Sequence, residues 1–196
     1  MSLIEEIRTR QNITKDQLVH LLTTEDEALL TRLKITARAV ADSVYGNQIF
    51  IRGLIEFTNY CKNDCYYCGI RRSNTRSDRY RLTEDQILSC CQNGYELGFR
   101  TFVLQGGEDP WYSDDKICAV VSRIRSSYPD CAVTLSIGEK SEESYRRFFD
   151  AGADRYLLRH ETADETHYRK LHPAEMSLSH RKNCLKTLKR IGYQTG

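Results

Sequence analysis

The chain has 196 residues, long enough for one domain with a substantial core and room for a small appendage. Its 29 basic and 27 acidic residues leave a formal net charge of +2, which argues against broad electrostatic binding to nucleic acid or to a membrane surface. The opening MSLIEEIRTRQNITKDQ lacks a signal-like apolar run, and no stretch approaches the roughly 18–20 apolar residues that span a bilayer, so a soluble, cytoplasmic protein is expected. In that setting eight cysteines point to metal binding or buried free thiols rather than to a disulfide framework.

From Ser2 to Tyr45 the pattern is helical, with an acidic turn in TEDEALLTRLKITARAVADSVYG and Gly46 as a stop. QIFIRGLIEF (48–57) reads as a strand. After a cysteine-bearing loop, LTEDQILSCCQNGYELGF reads as a helix capped by Thr83, with Glu84 and Asp85 behind the cap. TFVLQ (101–105) is a short strand ending at Gly106-Gly107, and SDDKICAVVSRIRSSYP is a helix capped by Ser113 with Pro129 beyond its end. CAVTLSIG (131–138) is a third strand, SEESYRRFFDAG a helix stopped at Gly152, and DRYLLR (154–159) a fourth strand. LSHRKNCLKTLKRIG closes as a helix with a basic last turn and Gly192 as its stop.

Short strands alternating with amphipathic helices imply parallel βαβ units, so the fold class is α/β. A doubly wound sheet and a (β/α) barrel both fit the pattern. The natural division is a helical extension over 1–46 and the α/β part over 47–196. A fifth strand is due where the sequence reaches GYQTG, and a complete eight-unit barrel needs about 250 residues. The chain is therefore expected to be the front part, about four βα units, of a longer one.

FTNYCKNDCYYCGIRR (57–72) puts Cys61, Cys65 and Cys68 on one loop after the first strand, at the sheet edge where βα loops build active sites. A closed zinc site wants four ligands, which His160 or His172 would have to complete. Three buried thiols without metal are a second possibility. In the third, the thiolates bind a [4Fe–4S] cluster, which normally takes four, and leave one iron open.

The segment resembles the C-x3-C-x2-C motif of the radical S-adenosylmethionine enzymes, with Tyr67 just before the last cysteine. Gly106-Gly107-Glu108 matches that family's GGE motif. IEFTNYCKNDCYYCGIRR, YRLT, VLQGGEDPWY, VTLSIGE, AGADRYLLRHETA and NCLKTLKRIGYQTG together resemble its biotin synthase and methylornithine synthase branch, and within it the maturases of [FeFe]-hydrogenase. The resemblance covers about residues 48–196 and implies a TIM-type barrel.

It also implies two cofactors, a [4Fe–4S] cluster on Cys61, Cys65 and Cys68, and S-adenosylmethionine on the open iron. By the same resemblance Tyr67 packs near the adenine, and Gly106, Gly107 and Glu108 surround the methionyl amino group. Glu161 would bind the ribose hydroxyls and Arg181 the carboxylate, with Arg159 beside them at the end of the fourth strand. Thr134 and Ser136 alternate with Val133, Leu135 and Ile137, so they share one strand face, expected to point into the barrel. No residue is assigned an acid–base role. The implied reaction is reductive cleavage of S-adenosylmethionine to methionine and a 5′-deoxyadenosyl radical. That radical would act on a sulfur- and iron-containing small molecule during hydrogenase maturation, with an electron donor and other maturation proteins as partners. Two alternatives stand beside it: a biotin synthase or methylornithine synthase type of radical enzyme, and a zinc-stabilised binding module without catalysis.

Overall fold

Capping side chains set the rhythm of the chain, which a computed structural model describes over residues 2–196. One compact unit ends at Phe50 and a second runs Ile51–Gly196. In the first, the helical stretch is broken into α1 (Leu3–Arg10), α2 (Lys15–Thr23) and α3 (Glu27–Tyr45). Ser2, Thr14 and Asp26 each accept a backbone N–H at the start of one of these helices, and α3 ends at Gly46 with φ +58°. No described helix is long and apolar enough to cross a membrane.

The second unit alternates as the sequence pattern predicts: β1 (Gly53–Thr58), α4 (Glu84–Glu96), β2 (Thr101–Gly106), α5 (Asp114–Ser127), β3 (Ala132–Ser136), α6 (Glu142–Asp150) and β4 (Arg155–Tyr156). Then follow α7 (Glu165–Leu171), α8 (Leu178–Ile191) and β5 (Gln194–Thr195). Thr83 caps α4 in a reciprocal box with Gln86, and Ser113 and Ser141 cap α5 and α6. All strands are parallel, and they lie side by side in chain order. A doubly wound sheet reverses strand order at a switch point, whereas a (β/α) barrel does not. The order therefore decides for the barrel type.

The second and third strands match the sequence reading to within two residues, and the first and fourth are shorter than expected. β1 starts at Gly53 rather than at residue 48, because β2 begins at Thr101 and the ladder offers no partner before the Gly53–Phe102 pair. β4 keeps two ladder residues, since β5 pairs only through Gln194 and Thr195. The helix α7, capped by Asp164, falls in a stretch where periodicity predicts no element, being seven residues long.

One face of the sheet carries Ile55, Phe57, Phe102, Leu104, Val133, Leu135 and Tyr156, packed into a single core with side chains of α4, α5, α6 and α8. The other face mixes apolar and polar side chains, turning wholly polar toward the strand ends. Leu54, Val103, Thr134, Arg155 and Gln194 form one row across the ladder, and Glu56, Gln105 and Ser136 form the next row toward the strand ends. Leu135, fully buried on the central strand, should cost about 2–5 kcal/mol of unfolding free energy when cut to Ala. Leu54, 55% exposed, should cost less than about 0.5 kcal/mol. Urea unfolding of the two variants checks the difference.

Candidate functional site

The cysteine loop leaves β1 at Thr58 and has little regular structure of its own before α4. It is held instead by Arg79, whose guanidinium donates to the carbonyls of Asn59, Ile70 (2.9 Å), Arg71 (2.8 Å) and Asn74 (3.0 Å). Within the loop, the Cys68 amide donates to the Cys65 carbonyl at 3.0 Å, and the Ser73 amide to the Asp64 carboxylate at 3.0 Å. Cys61, Cys65 and Cys68 are all half-buried and reduced. Burial pushes the Cys65 thiol up to about 11, and the neighbouring Cys61 and Cys68 add to the shift. A bound metal reverses that balance by deprotonating coordinating thiols outright. Among the described residues no three His, Cys, Asp or Glu side chains converge tightly enough for one metal ion. A cubane cluster does not ask for that convergence, because each thiolate takes a different iron.

β2 delivers Gly106-Gly107-Glu108 against this loop. A Cβ on Gly107 would lie 2.1 Å from the Tyr60 carbonyl oxygen and 2.7 Å from the Cys61 Cβ, so only glycine permits the approach. Glu108 is buried. Its carbonyl accepts the Lys62 amide at 2.9 Å, and its carboxylate accepts the Glu139 amide at 3.0 Å and pairs with the Lys62 ammonium at 3.2 Å. Gly138, with φ +77°, leaves room for that carboxylate: a Cβ there would meet the Glu108 Cγ at 2.1 Å. Asp109 receives both arms of Arg81, at 2.6 and 2.9 Å, with the Thr58 hydroxyl at 2.8 Å and the Trp111 amide at 3.1 Å. Burial works to raise the Asp109 pKa, but these donors outweigh it and hold the carboxyl below its ordinary value.

A cleft of about 390 Å³ opens at this edge of the sheet. Of the residues predicted for the cofactors, Tyr67, Cys68, Gly106 and Ser136 line it from the first three strand ends, and Arg159, Glu161 and Arg181 from the fourth and from α8. Glu161 has φ +61°, a conformation that costs a non-glycine residue energy and concentrates at functional sites. Arg181 is 8% exposed and pairs with Glu139 rather than with Glu161. The Tyr67 hydroxyl faces the buried His172 ring at 3.4 Å. The other His172 nitrogen lies 3.1 Å from the Tyr168 carbonyl, a pairing in which Nδ1 donates and leaves Nε2 of a neutral ring to accept from Tyr67, and burial lowers the ring's pKa. His172 is thereby committed within the fold, and His160 is exposed.

Thr134 is not brought to the cleft. It shares the open face with Ser136, as its spacing predicts, but sits deeper and lines a second cavity of about 280 Å³ with Arg52, Arg155 and Gln194. Its hydroxyl is buried without a hydrogen-bond partner. Conversely, Arg79, Asp109 and Glu139 hold the site together without standing out in the motifs. Glu139 carried one signal, a carboxylate directly after a glycine at a strand end, as in Gly107-Glu108.

A parallel sheet in chain order, with three cysteines and a glycine pair at its strand ends, defines the (β/α) barrel class with a thiol-bearing loop at its active-site edge. The chain belongs to the Radical SAM superfamily, whose model matches residues 55–196. It is 42% identical to the [FeFe] hydrogenase maturase subunit HydE of Thermotoga maritima over 187 residues, covering 95% of this chain and 53% of that protein. It is 31% identical to the 3-methylornithine synthase of Methanosarcina barkeri over 194 residues, covering 98% and 55%. The crystal structure of methylornithine synthase (PylB) superposes with a TM-score of 0.85 at 31% identity, covering 99% of this chain and 57% of that one. HydG, a maturase of the [FeFe]-hydrogenase, gives 0.87 at 28% identity, covering 99% and 44%. The chain thus spans about half the length of the curated relatives it matches. The family's cofactors are a [4Fe–4S] cluster and S-adenosylmethionine. The residues present fit both: a soft three-thiol donor set on one clamped loop, and a glycine cradle with a charged cleft beside it.

Two expectations follow from this geometry. Gly107→Ala should displace the cysteine loop and lower iron and sulfide content severalfold after reconstitution, whereas Gly69→Ala, with nothing within 4 Å of its added methyl, should not. Asp109 titrates lower folded than unfolded, so its stabilisation is complete above the unfolded value of about 3.9 and is lost as the pH falls through the folded value. Asp109→Asn should therefore cost about 1.5–3 kcal/mol near neutrality, with the gap closing in acid, as read from urea midpoints across that range.

Proposed function

We propose that Cys61, Cys65 and Cys68 hold a [4Fe–4S] cluster with one iron left for S-adenosylmethionine, and that the protein works in the cytoplasm in maturation of [FeFe]-hydrogenase. The observation that carries the first part is the three-thiol loop clamped by Arg79 and packed on Gly107. The second rests on the identity to the Thermotoga maturase, 42% against 31% for the methylornithine synthase. Family membership displaces the zinc-module alternative.

When bound, the cluster and cosubstrate supply reductive cleavage of a carbon–sulfur bond and a 5′-deoxyadenosyl radical. The chain's own residues bind, orient and exclude water. The Gly106-Gly107-Glu108 backbone takes the methionyl amino group, and Arg181 donates to the carboxylate. Glu161 accepts from the ribose hydroxyls, and Tyr67, anchored by His172, covers the adenine. Arg159 and Ser136 complete the wall of the same cleft. The substrate is a small sulfur- or iron-containing molecule, and the partners are an electron donor and other maturation proteins.

Cys61→Ala, Cys65→Ala and Cys68→Ala should each abolish or severely impair cluster assembly, while Cys90→Ala, Cys118→Ala and Cys184→Ala, all on helices, should not. Iron and sulfide analysis after anaerobic reconstitution reads this directly. Retention of a full redox-active cluster in all the loop variants would overturn the assignment. Recovery of active [FeFe]-hydrogenase in a maturase-deficient host tests the pathway, and formation of 3-methylornithine instead would favour the second relative.

A further inference from the structure

Glu139 follows β3 directly after Gly138 and is bonded in two directions. Its main-chain amide donates to the Glu108 carboxylate at 3.0 Å, on the side of the cysteine loop. Its own carboxylate accepts from Arg181 Nε at 2.6 Å, on the side of α8. The Arg181 Nη1 donates to the Arg159 carbonyl at 2.7 Å, which ties the same guanidinium to the end of the fourth strand. Burial works to lower the Arg181 pKa, but the Glu139 charge and hydrogen bond, with Tyr168 and Glu108 nearby, together outweigh it and hold the guanidinium above its ordinary value. A guanidinium has five N–H donors in a rigid plane, so fixing Nε and one Nη1 hydrogen sets the direction of the rest. Arg181 also lines the cleft, where a bound ligand would meet it. His180 adds a looser contact, its Nε2 3.6 Å from Glu139. The motifs of the cosubstrate loop and the arginine are thus joined through one residue.

We propose that Glu139 is a positioning residue that aims Arg181 at the cosubstrate carboxylate and holds it in register with the Gly106-Gly107-Glu108 loop. This rests on the cluster and cosubstrate reading given above. The pairing is a charge-assisted contact in a mostly buried setting, where orientation is fixed before the ligand arrives. Removing the Glu139 charge would leave the arginine buried with a weaker partner and free to turn away.

The test uses the full-length, cluster-loaded protein and two probes, S-adenosylmethionine and its decarboxylated analogue, each titrated against the paramagnetic resonance spectrum of the reduced cluster. Glu139→Gln should weaken S-adenosylmethionine about tenfold and leave the analogue's affinity unchanged, with iron content intact. In an Arg181→Ala background the same substitution should have no further effect, because the residue acts through the arginine. If Glu139→Gln fails to fold, Glu139→Asp, which keeps the charge and shortens the reach, is read the same way. Equal weakening of both probes, or an undiminished effect without Arg181, would mean a general structural role and overturn the proposal. So would unchanged binding of both. A wild-type protein that loads no cluster, or whose spectrum ignores S-adenosylmethionine, would instead overturn the underlying functional reading.

Discussion

The site depends on the burial of Glu108 between two strand ends. A carboxylate taken out of water must be matched by donors, and here the Glu139 amide and the Lys62 ammonium provide them. Those partners come from different segments, Lys62 from the cysteine loop and Glu139 from the end of β3. Satisfying one buried charge therefore fixes the spacing between the cysteine loop, the glycine pair and the third strand end. Gly138 and Gly107 are the steric conditions for it, one leaving space for the Glu108 side chain and the other letting the backbone meet Tyr60 and Cys61. The Asp109–Arg81–Thr58 cluster lies immediately behind and locks the same turn to the end of β1.

The two faces of the sheet divide the labour. The helix-covered face is a dry aromatic and aliphatic core that makes the strands rigid. The open face carries Glu56, Gln105, Ser136, Thr134 and Arg155, with Gln105 donating to Glu56 at 3.1 Å and Arg155 to Gln194 at 2.7 Å. Polar groups arranged on a stiff sheet stay where they are placed, which is what a site handling a reactive species requires. Tyr67, Cys68, Gly106, Ser136, Arg159, Glu161 and Arg181 gather around one cleft at the carboxyl ends of the strands, while Thr134 and Arg155 mark a separate, deeper cavity.

Much of this was legible in the chain. The alternation of β-branched or aromatic runs with capped helices gave the parallel architecture, since Thr83, Ser113, Gly152 and Gly192 act locally and leave local signals. The cysteine spacing and the glycine pair marked two segments that the fold brings together at the strand ends, for the same reason. Strand ends were less legible because a ladder ends where its neighbour does: residues 48–52 are apolar enough for a strand but have no partner. Partner choice was hidden altogether. Arg181 and Glu161 stand near each other in sequence, yet the arginine takes Glu139, 42 positions away. Arg79 looks like one more surface cation until its loop carbonyls converge on it. Thr134 and Ser136 share a face by simple alternation, but two residues along a strand are enough to put them in different cavities.

The central claim is that the loop thiolates leave one coordination position for the cosubstrate. It is tested most directly by adding S-adenosylmethionine carrying ¹⁵N in its amino group to the reduced, cluster-loaded protein and recording the electron–nuclear hyperfine spectrum. A nitrogen coupling that appears with the label and disappears with unlabelled compound is the expected result. A reduced cluster with no coupling at saturating cosubstrate, or one completed by a fourth protein ligand, would contradict the account.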